Sequence, residues 1–200
     1  AQEAEKISQL HQDLAGEQRA IGNQAGLFAS TIMKYRAGYL SASYDLTQPP
    51  PGFPMDLDVD RMAEYALELA QRQEAICTQI HDSIGSQESF GLRAFILSGL
   101  GYFHEAMQLY TEQYRIAELA DNPEVMAHSH RNMAEIHGKC RNIDSALAAI
   151  QKALAIARKY RLRTTEDRIL RSLELLVKIP RPSGDFHEID LLKENELDWF

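Results

Sequence analysis

Residues 90–118, FGLRAFILSGLGYFHEAMQLYTEQYRIAE, and residues 130–158, HRNMAEIHGKCRNIDSALAAIQKALAIAR, can be laid over one another without a gap at an offset of 40. Ala94 then falls on Ala134, Phe103 on Ile143, Ala106 on Ala146, Tyr110 on Ile150, and Ile116-Ala117 on Ile156-Ala157. The matched residues share size as well as polarity. Small residues recur where two helices of a hairpin must cross, because a larger side chain would hold the backbones apart. Larger apolar residues fill the space around each crossing. Alternating β-branched runs are missing, and Ala, Leu, Glu, Gln and Arg dominate long stretches, so both copies read as helix pairs and the chain as all-α.

The two copies resemble the tetratricopeptide repeat, in its long variety of about 40 residues found in bacterial regulators and adaptor proteins. Asn132-Met133-Ala134 is similar to the family's Asn-Leu-Gly stretch. Ala146, Ile150 and Ala153-Leu154 are similar to its second-helix positions, and Gln151-Lys152-Ala153-Leu154 is a common family tetrapeptide. The first copy supplies Ala94, Ala106 and Tyr110, but has Gln113 at the later small position. The usual turn glycine is Gly101 in the first copy and Arg141 in the second. The resemblance implies stacked antiparallel helix hairpins in a right-handed solenoid, and a scaffold that binds a protein or peptide without catalysis or cofactor.

Working outward, residues 57–84 fit the second helix of an earlier unit, with Ala66 40 before Ala106. Residues 165–178 fit the first helix of a later unit, with Leu170, Leu173 and Val177 at core positions and Glu174 at the small site. Punctuation predicts the joints: Gly85 ending a helix with Ser86 capping the next, a turn at Gly99 and Gly101, a start at Asn122-Pro123, and a turn over 138–142. Thr164 with Asp167 resembles a capping box, and Pro180 and Pro182 stop the helix that follows. The repeats thus occupy 57–184, and residues 185–200 are expected to form a helix that caps the open end of the stack or, alternatively, a tail that lies in the basic groove. Upstream, Pro49, Pro50, Pro51 and Pro54 make 46–56 an extended loop. Asp56, Asp58 or Asp60 can cap the helix after it. Residues 1–45 form an N-terminal helical segment, with one long helix or two over 4–44. Ile7, Leu14, Ile21, Phe28 and Tyr35 recur there every seven residues, while Leu10, Glu17, Gln24 and Thr31 beside them are mostly polar. A two-position coiled-coil seam needs both sets apolar, so this is a narrow packing stripe with Gly16, Gly22 and Gly26 as breaking points. An oligomerisation role for 4–44 is the structural alternative to a binding role.

The net charge of -8 argues against direct affinity for nucleic acid, which needs clustered Lys and Arg. No apolar run approaches the roughly 20 residues of a membrane span, and the N-terminal AQEAEKISQL lacks the apolar core of a secretion signal. Cys77 and Cys140 make neither a disulfide framework nor a zinc pattern, so a cytoplasmic location is expected. His128 and His130 point to nearly opposite sides of a helix, and no third ligand joins His130 and His137 at helical spacing. Metal binding is therefore not expected, and His137 is assigned to packing. No nucleophile elbow, phosphate loop or H-E-x-x-H motif is present.

The family's ligand groove is lined by the first helix of each unit. Carried over residue by residue, the groove positions are Glu88, Gly91, Phe95, Ser98 and Gly99 in one unit and His128, Arg131, Glu135, Gly138 and Lys139 in the next. Asn132 lies beside them, and Arg168, Arg171 and Lys178 follow in the degenerate unit. This groove is basic toward its C-terminal half, which suggests an acidic peptide or a terminal carboxylate as ligand, since Arg presents a planar fork of donors. Asn132 and Lys139 come near the carboxylate clamp of the family's chaperone-binding members. Gly91 and Phe95 stand where that clamp needs Lys and Asn, so its specificity is not implied. A small-molecule-sensing domain of a transcriptional regulator is the second functional expectation.

Overall fold

The computed structural model describes residues 2–36 and 59–178. They form seven helices: α1 (Gln2–Arg36), α2 (Val59–Gln79), α3 (Ser83–Leu100), α4 (Phe103–Leu119), α5 (Pro123–Lys139), α6 (Ile143–Lys159) and α7 (Arg163–Leu176), with no strand among the described residues. The Pro-rich loop, Asp56, Asp58 and the expected cap over 185–200 lie outside the described residues, whereas Asp60 lies within α2 rather than ahead of it as a cap.

One turn is built five times. His81, Gly101, Asp121, Arg141 and Arg161, spaced 20 apart, all have positive φ. At each, the next residue donates its backbone N–H to the carbonyl five residues earlier: Asp82 to Cys77, Tyr102 to Leu97, Asn122 to Ala117, Asn142 to His137 and Leu162 to Ala157, at 2.8–2.9 Å. This left-handed closure satisfies a carbonyl that the helix end would otherwise orphan. The residue after it is already the cap of the following helix, so within each unit successive helices reverse within a few residues. Arg141 adopts the glycine conformation with φ 58 although it has a side chain, so the departure from Gly101 leaves the turn unchanged.

Several joints differ from the expected punctuation. Gly85 lies inside α3 rather than ending a helix; the turn is at His81, and Asp82 caps α3 by accepting from the Ile84 and Gly85 N–H groups at 3.1 and 3.0 Å. Gly85 is small because a Cβ there would collide with the Cys77 thiol across the turn. Gly99 likewise stays helical, whereas the turn expected over 138–142 forms, closing at Cys140 and Arg141. Thr164 and Asp167 sit within α7, whose cap is the backbone of Leu162. Asn122-Pro123 starts α5 as expected, the Asn122 side chain accepting from Val125 N at 3.3 Å.

The chain divides into two compact units, 1–125 and 126–200. In the first, α1 packs on α2, α2 on α3 and α3 on α4, and α1 also touches α3. The N-terminal segment is one helix that runs through Gly16, Gly22 and Gly26. Its stripe is wider than the seven-residue repeat indicated. Ile21 and Phe28 are buried, and so are Gln18, Ala25 and Ile32, four positions after Leu14, Ile21 and Phe28, while of the companions three positions after the stripe Thr31 alone is buried. Leu10 is exposed instead. These residues share a core with Met62, Ala66 and Leu69 of α2, and Phe28 meets Tyr65 at 5.5 Å between ring centroids. In the second unit, Ala127 and Ala134 of α5, Ala146, Ile150 and Ala153 of α6, and Ile169 and Leu173 of α7 form one core.

Burial repeats every 40 residues, twice the spacing of the turns. Ala66, Ala106 and Ala146 are fully buried, as are Cys77, Ala117 and Ala157. Overpacking such crossings is costly. Ala106→Leu and Ala146→Leu are each expected to lower stability by about 1–3 kcal/mol in urea titrations. A change within the noise of the titration at both sites would count against these positions as helix crossings. At the turns, Gly101→Ala should cost about 1–2 kcal/mol through its left-handed backbone. Arg141→Gly should add about 0.5–1 kcal/mol, the relief of the side chain outweighing glycine's extra chain entropy. The same titrations read both signs.

Candidate functional site

In the second unit one expected groove residue of α5, Glu135, meets α7 through Ser172, a residue outside the expected groove set. Ser172 Oγ donates to Glu135 Oε1 at 3.0 Å, tying the two helices together. Arg131 lies on the same side of α5, one turn before Glu135. Its Nε is 3.5 Å from Glu135 Oε1, and its Nη2 donates to Asn132 Oδ1 at 2.8 Å. Arg131 is therefore half-buried and engaged by its own helix, while Arg168 and Arg171 on α7 and Lys139 at the end of α5 are exposed. His128 is half-buried. The face thus offers two exposed guanidinium groups one turn apart, beside a carboxylate that already has a hydroxyl and a guanidinium against it. His130, close by in sequence, has its pKa lowered by burial and by Lys152, which favours the neutral ring.

Glu88 and Phe95 belong to the first unit. Phe95 is 42% exposed on α3. Glu88 lies on the wall of a polar cleft among α1, α2 and the first turns of α3. Gly91, expected to line a groove, is a packing seat: a Cβ there would collide with the Gln113 amide, whose Nε2 donates to the Gln87 carbonyl at 2.9 Å. Gly22 bears the same relation to Gln73. Gln73 and Gln113 are 40 apart, so each of the first two second-helix positions inserts a buried glutamine against a glycine. In the next copy the sizes are reversed, with Arg131 and Ala153 at the equivalent places.

The cleft, of about 540 Å³, was not foreseen. Its floor is a chain of hydrogen bonds from buried side chains. Asp82 Oδ1 accepts from the start of α3, and Asp82 Oδ2 accepts from Gln18 Nε2 at 3.0 Å. A carboxylate only accepts, so Gln18 must turn its amide nitrogen to Asp82 and its oxygen inward. That oxygen receives Gln73 Nε2 at 3.2 Å and the Cys77 thiol at 3.6 Å. The thiol's pKa is pushed up to about 11, by burial first and then by Asp82 and Glu88, so it remains a protonated donor. The order leaves Gln73 Oε1 as the terminal acceptor. Gln73 is 1% exposed, and this oxygen has no hydrogen-bond partner, a state that costs about 1–3 kcal/mol. The sequence signal for the chain was weak. Gln18, Gln73 and Asp82 are far apart along the chain, and only the 40-residue spacing of Gln73 and Gln113 marked one of them.

Among the described residues, no group of three His, Cys, Asp or Glu is arranged to hold a metal, and no helix is long and apolar enough to cross a membrane. Cys77 is buried and Cys140 exposed. No protein-family model matches this chain, and no curated protein is similar to it.

The Glu88 carboxyl is raised from its ordinary value by burial and, second, by the charge of Asp82. A raised folded-state pKa contributes stability below the unfolded value and loses it as pH rises through the folded value. Glu88→Gln should therefore be more stable than the parent at neutral pH, with the advantage shrinking as pH falls into the carboxylate range. Urea midpoints across that range check the sign, and a variant less stable at neutral pH would refute it.

Proposed function

We propose that this chain is a tetratricopeptide-type helical repeat that docks an acidic peptide segment of a protein partner, as the docking or sensing part of a larger regulatory protein. The reading rests on the face of the second unit where Ser172 of α7 hydrogen-bonds Glu135 of α5. That bond lays two alternate helices side by side, and Arg168 and Arg171 project from α7 into solvent beside it. Two guanidinium groups at this spacing suit a pair of carboxylates three or four residues apart on a helical peptide, or the forked end of a chain. The helix packing within the second unit supports a binding role on physical grounds: side chains held on packed helices lower the ordering cost of holding a flexible partner. The groups on the face are donors suited to carboxylates, so the activity proposed is binding and not catalysis. A small-molecule-sensing role is the second reading, and the cleft of the first unit favours it.

Fluorescence anisotropy of a labelled Asp/Glu-rich peptide against the 200-residue chain tests the docking face. Binding should weaken about tenfold or more in Arg168→Glu/Arg171→Glu, and it should fall as salt is raised. A Lys-rich peptide of equal length binding as well as the acidic one would overturn the proposal.

A further inference from the structure

We propose that the cleft bounded by α1, α2 and the first turns of α3 is a binding site for a small primary ammonium compound, whose N–H groups bond Gln73 Oε1 and whose charge sits against Glu88. This site lies wholly in the first unit and does not depend on the peptide-docking reading.

Three observations converge on that chemistry. The first is the acceptor itself. Gln73 lines the cleft, is 1% exposed and carries an oxygen with no partner. Its direction is set from Asp82 through Gln18, so the amide cannot simply flip to offer a donor without breaking the bond to Gln18 Oε1. The complementary group must therefore donate. The second is charge. Asp82 and Glu88 both line the cleft, and Asp82 already accepts from Gln18 Nε2 and two backbone N–H groups. Glu88 is the carboxylate that a cation would relieve, because its ionised form is disfavoured by burial and by Asp82. The third is the remaining wall. Ile84 and Leu92 offer an apolar side for a short aliphatic stem, and Arg19 supplies a cation that would suit a carboxylate on the same ligand. An ammonium on an aliphatic stem uses the first two features and the apolar wall. A free α-amino acid would use Arg19 as well.

The arms of one titration separate these sources. L-leucine carries ammonium, stem and carboxylate, isoamylamine lacks the carboxylate, and 4-methylpentanoate lacks the ammonium. The expected result is that leucine and isoamylamine each raise the melting temperature of the full chain and shift the NMR side-chain amide resonances of Gln73 and Gln18, while 4-methylpentanoate does neither. Tighter binding of leucine than of isoamylamine identifies the amino acid as the source; equal binding identifies the ammonium alone. Glu88→Gln, at a position whose side chain reaches solvent, should weaken either compound about tenfold. The amide shifts are read in the parent protein, so they stand even if a substitution at Gln73 fails to fold. Binding of 4-methylpentanoate as strong as that of isoamylamine, or no amide shift with either amine at millimolar concentration, overturns the proposal and leaves the acceptor to water.

Discussion

The closed left-handed turn is the element on which the rest of the structure depends. At His81, Gly101, Asp121, Arg141 and Arg161 the backbone takes a positive φ. The hydrogen bond that follows ends one helix and leaves the next residue as the cap of another. Because the turns recur every 20 residues, α3 to α6 have nearly the same length. Equal lengths and equal turns bring the same helix positions to each crossing, which is why burial at Ala66, Ala106 and Ala146 also repeats. Four of the five turn residues have side chains and bear the cost of the left-handed conformation. The closing bond and the packing of the helices on both sides offset it.

With the helices in place, the buried polar groups decide where the molecule has character. In the first unit, glutamines enter the interior at Gln18, Gln73 and Gln113, and glycines at Gly22 and Gly91 leave room for two of them. A buried amide must be bonded or it destabilises the fold. Gln113 donates to the Gln87 carbonyl, and Gln73 donates to Gln18 while its own oxygen is left without a partner. The same residue type at the same repeat position thus carries an orphaned buried acceptor in the hairpin that borders the cleft.

The second unit shows the converse. Its core has Ala153 where the earlier copies carry glutamine, and the polar side chains buried there are the hydroxyls of Ser129, Thr165 and Ser172. Its charged groups lie on the outside, along α5 and α7. Arg131 is drawn against Asn132 and Glu135, which leaves Arg168 and Arg171 as the exposed cations of that face. A charge count along the sequence treats these arginines alike. Their environments do not, since a guanidinium engaged by its own helix has less to offer a partner.

The amino-acid sequence by itself determined the helical class, the 40-residue period and the positions of the small residues at the crossings, because those follow from local propensity and from sizes repeated at constant spacing. It also marked Gly101 and Asn122-Pro123, where one residue type has few backbone alternatives. Punctuation misled at Gly85, whose small size serves contact with Cys77 rather than a chain break. It was silent at His81 and Arg161, where ordinary side chains adopt the turn. The stripe of α1 was read as narrow because the positions three residues on are mostly polar, but burial extends to Gln18, Ala25 and Ile32 four residues on, because only the approach of α2 decides which side of a long helix is covered. The cleft and its hydrogen-bond chain were decided by tertiary structure alone. Gln18, Gln73 and Asp82 acquire their order from contact between residues 55 and 64 positions apart. No local pattern encodes which oxygen of such a chain is left without a donor.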